Sequence, residues 1–333
     1  MAKGKRVLVT GGAGYIGSHM VRLLLEKGYQ PVVLDNLSTG HRDFVPRSVP
    51  FIKGDVRCRK DLRKAFTRYS IDAVIHFAAA LIVPESVENP IKYYENNTAA
   101  SLYLADEMLK AGVYKLIVSS TAAVYGDVKK TPVTETYPTI PVNPYGTSKL
   151  LEEYILRDIV KISKLKLIVL RYFNVAGSHP SAKTGIRNKD ATHLVPSILK
   201  VAAGKRKRFT VFGDNYPTKD GTCIRDFIYV VDLCEAHLAA LRALNKKGLK
   251  VETINLGSQR GYSVKEVYEA CCSVTEKKIP LVIGPRRAGD PAKIVASSAK
   301  ARRVLGWRPR ASLQKIIESA WRWELSKENR ERH

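Results

Sequence analysis

No apolar run in the 333-residue sequence approaches the roughly 20 residues that a bilayer-spanning helix needs, so no membrane span is expected. The early apolar stretch Val7-Leu8-Val9 follows Met1 too closely to be the core of a signal peptide, and a cytoplasmic protein is expected. Cysteine is scarce. The five, Cys58, Cys223, Cys234, Cys271 and Cys272, are odd in number, unpatterned and include an adjacent pair. Such spacing specifies neither a disulfide framework nor a zinc site, and no metal is expected. Internal repeats and low-complexity linkers are also missing. Acidic side chains are in short supply: 31 Asp and Glu stand against 56 Lys and Arg, a formal net charge of +25. The excess is scattered in short clusters at residues 3–6, 57–64, 205–208 and 302–310, without the aromatic interleaving of a nucleic-acid surface. A solvated basic surface that steers anionic ligands is expected, with neither nucleic acid nor membrane as partner.

What is present suits a folded protein with a large core, with 45% hydrophobic and 26% charged residues over a length that fits about two domains. Lys5 to Thr10 reads as a short strand, followed by Gly11-Gly12-Ala13-Gly14-Tyr15-Ile16-Gly17 and a helical pattern through Met20, Leu23, Leu24 and Leu25. Strand, glycine turn and helix in this order predict a dinucleotide site. Gly11, Gly14 and Gly17 permit the tight turn, the close approach of a pyrophosphate and the packing of helix on strand, and the helix N-terminus favours the phosphates. The next strand ends at Asp35, 18 residues after Gly17, where a carboxylate accepts hydrogen bonds from the adenosine ribose and repels a 2′-phosphate. NAD is therefore expected over NADP, with Arg42 nearby as the contrary sign.

The alternation continues. A third strand over residues 50–56 carries Asp55 to the edge where adenine would lie, and a fourth, over residues 71–79, contains His76, read as a structural histidine rather than a base. A helix is expected from residue 90 to 111, then a strand that delivers Ser119, Ser120 and Thr121 to the same edge. Asn143-Pro144-Tyr145-Gly146-Thr147-Ser148-Lys149 follows. If a helix begins at Pro144 or Tyr145, Lys149 lies one turn beyond Tyr145 on the same face. A cation there favours phenolate and makes Tyr145 a base; the bland alternative is a surface ring packed along a lysine stem.

Together, Gly11-x-x-Gly14-x-x-Gly17, Asp35, Ser119-Ser120-Thr121 and Tyr145-x-x-x-Lys149 resemble the extended short-chain dehydrogenase/reductase family. Leu34 to Ser38, His76 to Ala79, Ser119 to Gly126, Arg171 to Asn174, Gly213 to Asp232 and Arg286 to Asp290 narrow the resemblance to the branch that epimerises UDP-sugars at C4, over nearly the whole chain. The resemblance implies an α/β fold: a doubly wound parallel sheet of Rossmann type over residues 1–175, and a smaller α/β substrate domain mainly over 176–333, some of which returns to the first. It implies Thr121, Tyr145 and Lys149 as catalytic residues, Lys149 also binding the nicotinamide ribose. The implied NAD positions are Gly11, Gly14, Tyr15, Ile16, Gly17, Asp35, Asn36, Asp55, Val56, Phe77, Ala78, Asn97, Tyr145, Lys149 and Tyr172. Those implied around the UDP-sugar are Thr121, Tyr145, Asn174, His193, Leu194, Val211, Phe212, Arg225, Arg287 and Asp290.

There are departures. Leu81 stands where some relatives use a lysine on the adenosine ribose, and Ile294 where some carry a bulky tyrosine that excludes N-acetylhexosamines. Sugar-nucleotide dehydratases of the same family follow the threonine with Asp-Glu; here Ala122 and Ala123 follow, so epimerisation is expected over elimination. The polar loop over residues 177–192 is expected to cover the ligand. The resemblance also implies a homodimer through the helices over 90–111 and 149–162.

Overall fold

The structure of the protein, a computed structural model, describes residues 4–187, 193–287 and 290–326. The β-α alternation of the sequence becomes β1 (Arg6–Thr10), α1 (Tyr15–Glu26), β2 (Gln30–Asp35), β3 (Phe51–Lys53), α2 (Arg59–Arg68), β4 (Ala73–His76), α3 (Val83–Glu88), α4 (Pro90–Tyr93), α5 (Ala100–Lys110), β5 (Lys115–Thr121), α6 (Pro144–Ile162) and β6 (Lys166–Tyr172). The second half adds β7 (Asn174–Ala176), α7 (Leu194–Ala202), β8 (Phe209–Phe212), β9 (Ile224–Tyr229), α8 (Val230–Ala243), β10 (Val251–Leu256), β11 (Gly261–Ser263), α9 (Val264–Thr275), β12 (Leu281–Gly284), β13 (Lys293–Ile294), α10 (Ala299–Leu305) and α11 (Leu313–Leu325).

A seven-stranded sheet runs in the order β10-β6-β5-β4-β1-β2-β3, each neighbouring pair parallel. Its strands are apolar without alternation because both faces are covered. Val7, Val9, Ile75, Ile117 and Ile254 face α1 and α8, whereas Leu8, Val32, Val74, Leu116 and Val169 face α2, α5 and α6. Successive side chains point to opposite faces of a strand, so this division is what a doubly wound sheet requires. A third core joins β8 and β9 to α7, α9 and α11.

Two expected elements differ. The third strand is shorter than 50–56, because the Gly54 amide still bonds to the Asp35 carbonyl at 3.1 Å while the Asp55 amide turns to the Asp61 carboxylate at 2.9 Å. The helix expected over 90–111 is interrupted by a π-helical segment, Tyr94–Ala99, which turns the Asn97 side chain onto Ala80 and Ser148. Widened turns of this kind cluster at functional sites. Among the described residues no helix is long and apolar enough to cross a membrane.

Candidate active site

The glycine turn is built by close approach. Gly11 has φ +68°, and a β-carbon on it would stand 2.7 Å from the Ala78 amide nitrogen; one on Gly17 would stand 2.2 Å from the Gly11 carbonyl oxygen. Both residues must be glycine for α1 and the Phe77-Ala78 segment to close on the turn. Gly14 is the N-cap residue of α1, with no side-chain cap and no acid in the first turn, so the helix end presents its amides to an anion. Tyr15 anchors the turn to the second half through its hydroxyl, which donates to the Gly177 carbonyl at 2.6 Å, and Ile16 packs into the core beneath it. Asp35 ends β2 as a buried carboxylate that accepts the amides of Ala13 (2.9 Å) and Leu37 (2.8 Å); burial raises its pKa and these bonds oppose the rise. Arg42 is directed away, donating to the Val45 carbonyl and lying 4.6 Å over the Phe51 ring. A glycine cradle, an uncapped helix end and a carboxylate at the end of β2 fit an adenine dinucleotide with a free ribose.

Asn36 and Asp55 are joined at 3.0 Å, and Arg57 grips the same carboxylate at 2.8 and 3.0 Å, holding its pKa down at about 2. The Asp55 side chain is thus occupied. Val56 beside it is buried. Phe77 lies 4.9 Å from the His237 ring, and Ala78 stands over Gly11.

Asn143 caps α6 by accepting the Gly146 amide at 2.9 Å, with Pro144 in the first turn. Gly146 has no side chain, where a β-carbon would stand 2.7 Å from the Ala123 carbonyl oxygen, so α6 rests directly on the 3-10 turn Ala122–Tyr125 that follows β5. This contact sets Tyr145 beside Thr121. The Thr121 oxygen accepts the Ala123 amide at 3.1 Å, leaving its O–H to donate to the Tyr145 hydroxyl and favour the ionised form. Burial acts more strongly and pushes the Tyr145 pKa up, with the Glu152 charge adding to the rise. Tyr93 packs edge-on at 6.3 Å, and Tyr172 is in register with Thr121 on the next strand, its pKa also raised by burial.

Lys149 is fully buried one turn beyond Tyr145, and its ammonium is bonded to Glu152. A buried charge takes the nearest opposite charge that its helix offers. His76 behaves as a structural histidine: its ring bonds to Thr10 at 2.6 Å and Ser101 at 3.2 Å, and burial lowers its pKa to about 3. Asn97, implied as a cofactor contact, holds Ala80 and Ser148 in place.

Of the expected sugar positions, Asn174 and Arg225 lie on a four-stranded sheet of β7, β9, β11 and β13, and Val211 and Phe212 on β8, which pairs with β12. Arg225 on β9 is ion-paired with Asp290, and the Arg287 guanidinium lies 4.1 Å over the Phe212 ring at the end of β8, where Val211 is buried. Asn174, two residues beyond Tyr172, starts β7 and pairs with Phe227 of β9, which joins this cluster to the Tyr145 region. His193 is exposed at the start of α7, with Leu194 its first residue. Leu81 is exposed, and Ile294 is buried in β13, in register with Arg225. Of the loop expected over 177–192, residues 188–192 lie outside the described residues.

Sequence reasoning missed Glu152 and Glu153. Glu153 accepts Arg171 at 2.6 and 2.9 Å and Ser120 at 2.6 Å, tying α6 to β5 and β6. The i,i+3 spacing of Lys149 and Glu152 was available as a signal; the burial of both was not.

Residues 7–257 match the family described as NAD dependent epimerase/dehydratase. The chain belongs to that family. It is 49% identical over 318 residues to the UDP-glucose 4-epimerase of Lacticaseibacillus casei, covering 95% of this chain and 96% of that protein. Among solved structures, a UDP-glucose 4-epimerase from Stenotrophomonas maltophila with bound NAD and formylated UDP-arabinopyranose is similar at 40% identity and TM-score 0.93, covering 96% of this chain and 98% of that one. The enzyme from Bifidobacterium longum in complex with NAD+ and UDP is similar at 41% identity and TM-score 0.92, covering 98% and 99% of the two chains. Family membership accords with the glycine cradle, Asp35 and the Thr121-Tyr145-Lys149 arrangement on one edge of the sheet.

Proposed function

We propose that this protein interconverts UDP-glucose and UDP-galactose by inverting the sugar at C4 through a 4-keto intermediate, with NAD held at the glycine turn and Asp35. When bound, NAD supplies the acceptor for the C4 hydride and is regenerated within the same turnover. Tyr145 takes the proton of the C4 hydroxyl, and the Thr121 hydroxyl, directed at the phenol, steadies the charge that forms on it. The keto sugar presents its other face and Tyr145 returns the proton. Arg225 and Arg287 suit the diphosphate, because a guanidinium is a fixed fork of donors. The sugar would lie between residues 1–175 and the substrate half, 176–333.

The observation that favours inversion over loss of water is the turn after Thr121, where Ala122 and Ala123 provide no carboxylate. The test is Tyr145→Phe. General base catalysis contributes about 10²–10⁴ in rate, so interconversion should fall at least about a hundredfold with the melting temperature unchanged; near-normal turnover would refute the assignment. A panel containing UDP-N-acetylglucosamine and UDP-glucuronate checks the substrate. A homodimer is part of the proposal: Leu102 on α5 and Leu151 and Tyr154 on α6 expose 39%, 37% and 50% of their surface on adjacent helices, and light scattering should read twice the chain mass.

A further inference from the structure

The Glu152 carboxyl is fully buried, and the proton transfer above does not use it. Glu152 stands one turn beyond Lys149 on α6 and takes the lysine ammonium directly. Its other oxygen accepts the Ser101 hydroxyl of α5 and lies 3.6 Å from Nε2 of His76 on β4. Taking a carboxylate out of water costs several kcal/mol unless it is partnered. His76 is not the balancing charge: its ring nitrogens are bonded to Thr10 and Ser101, and burial keeps it neutral. The neighbouring acid, Glu153, is engaged with Arg171. Among the described residues, Lys149 is therefore the cation that answers the Glu152 charge.

Around Tyr145 stand Thr121 of β5, the Tyr93 ring of α4 and Tyr172 of β6, with Lys149 and Glu152 one and two turns along its own helix. Only the last two carry charge, of opposite sign and joined to each other. We propose that Glu152 is a positioning residue for the proton transfer: by binding the Lys149 ammonium it fixes where that cation stands and withholds part of its field from Tyr145. This rests on the function proposed above, with Tyr145 as the base. It gives the site a counterweight, because the lysine favours phenolate while the glutamate opposes it.

The test is the pH dependence of kcat/KM for UDP-galactose in the NAD-loaded Glu152→Gln protein. Glutamine keeps the size of the side chain and its acceptor for Ser101 but removes the negative charge. Tyr145 then ionises more readily and acts as a base at lower pH. The acid limb should move down by about one pH unit, a roughly tenfold gain in kcat/KM on the acid side. A merely structural role lowers kcat/KM by the same factor at every pH and leaves the limb in place; that result, or a shift to higher pH, overturns the proposal. Glu152→Met, which replaces the charge with an apolar chain of similar length, should move the limb in the same direction and serves if the glutamine variant does not fold. Unmodified protein that fails to convert UDP-galactose refutes the proposed function instead, whereas active protein whose acid limb is indifferent to position 152 refutes only the role of Glu152.

Discussion

At Gly146 a β-carbon would stand 2.7 Å from the Ala123 carbonyl oxygen, so the position of the Tyr145 phenol depends on a neighbour with no side chain. In an open helix, Gly→Ala stabilises by about 1 kcal/mol. Here the added carbon meets backbone, and overpacking of this kind costs about 1–3 kcal/mol. Gly146→Ala is therefore expected to lower the melting temperature and to reduce kcat more than tenfold, since misplacing a base by about 1 Å costs about a hundredfold; thermal melts and steady-state kinetics check this. The Tyr145-Lys149 spacing was legible because one helix sets it. The pairing of Lys149 with Glu152 was not, because it depends on α5 and β4 closing around both residues.

Among the elements, α6 is fixed at both its start and its middle. Asn143 caps it, and Glu153 clamps it to β6 through the two bonds from Arg171, whose guanidinium also donates to the Tyr125 hydroxyl at 3.0 Å. Removing one partner of a buried ion pair costs about 3–5 kcal/mol, because the other charge is left without an answer. Glu153→Ala should lower the urea midpoint accordingly, and Asn143→Ala by the smaller cost of a lost cap, about 1 kcal/mol. The cap was readable from Asn143-Pro144, a local signal. The break in the helix expected over 90–111 was not: its apolar spacing continues through the break, and what holds the π turn is Asn97 reaching Ala80 and Ser148, contacts distant in sequence.

For the whole molecule, three buried histidines contribute to the response to acid. His19, His76 and His237 are buried and neutral, with burial lowering their pKa values from 6.5 to about 3, 3 and 4. The unfolded chain takes up these protons near pH 6.5 and the folded chain does not, so stability falls as the pH drops below about 6.5, by up to about 1.4 kcal/mol per unit for each histidine. Urea unfolding at intervals between about pH 7 and 5 should show a falling midpoint. The net charge of +25 adds self-repulsion, and Lys27, Arg242, Arg302, Arg308 and Arg310 share one cleft of about 610 Å³ with Glu235 as the acid among its lining residues. Salt that screens this repulsion is expected to raise the melting temperature.

The strand order also has a consequence for synthesis. β6 is complete at Tyr172, but its outer neighbour, β10, begins at Val251, after β7, β8, β9 and α8 have been made. The β6 edge cannot be paired by β10 until the intervening segment has been translated, and unpaired edges invite wrong partners. The apolar side chains that wait for α8 on the same sheet remain uncovered over much of that interval. The half of the protein that holds Tyr145 is therefore the first to be made and among the last to be finished.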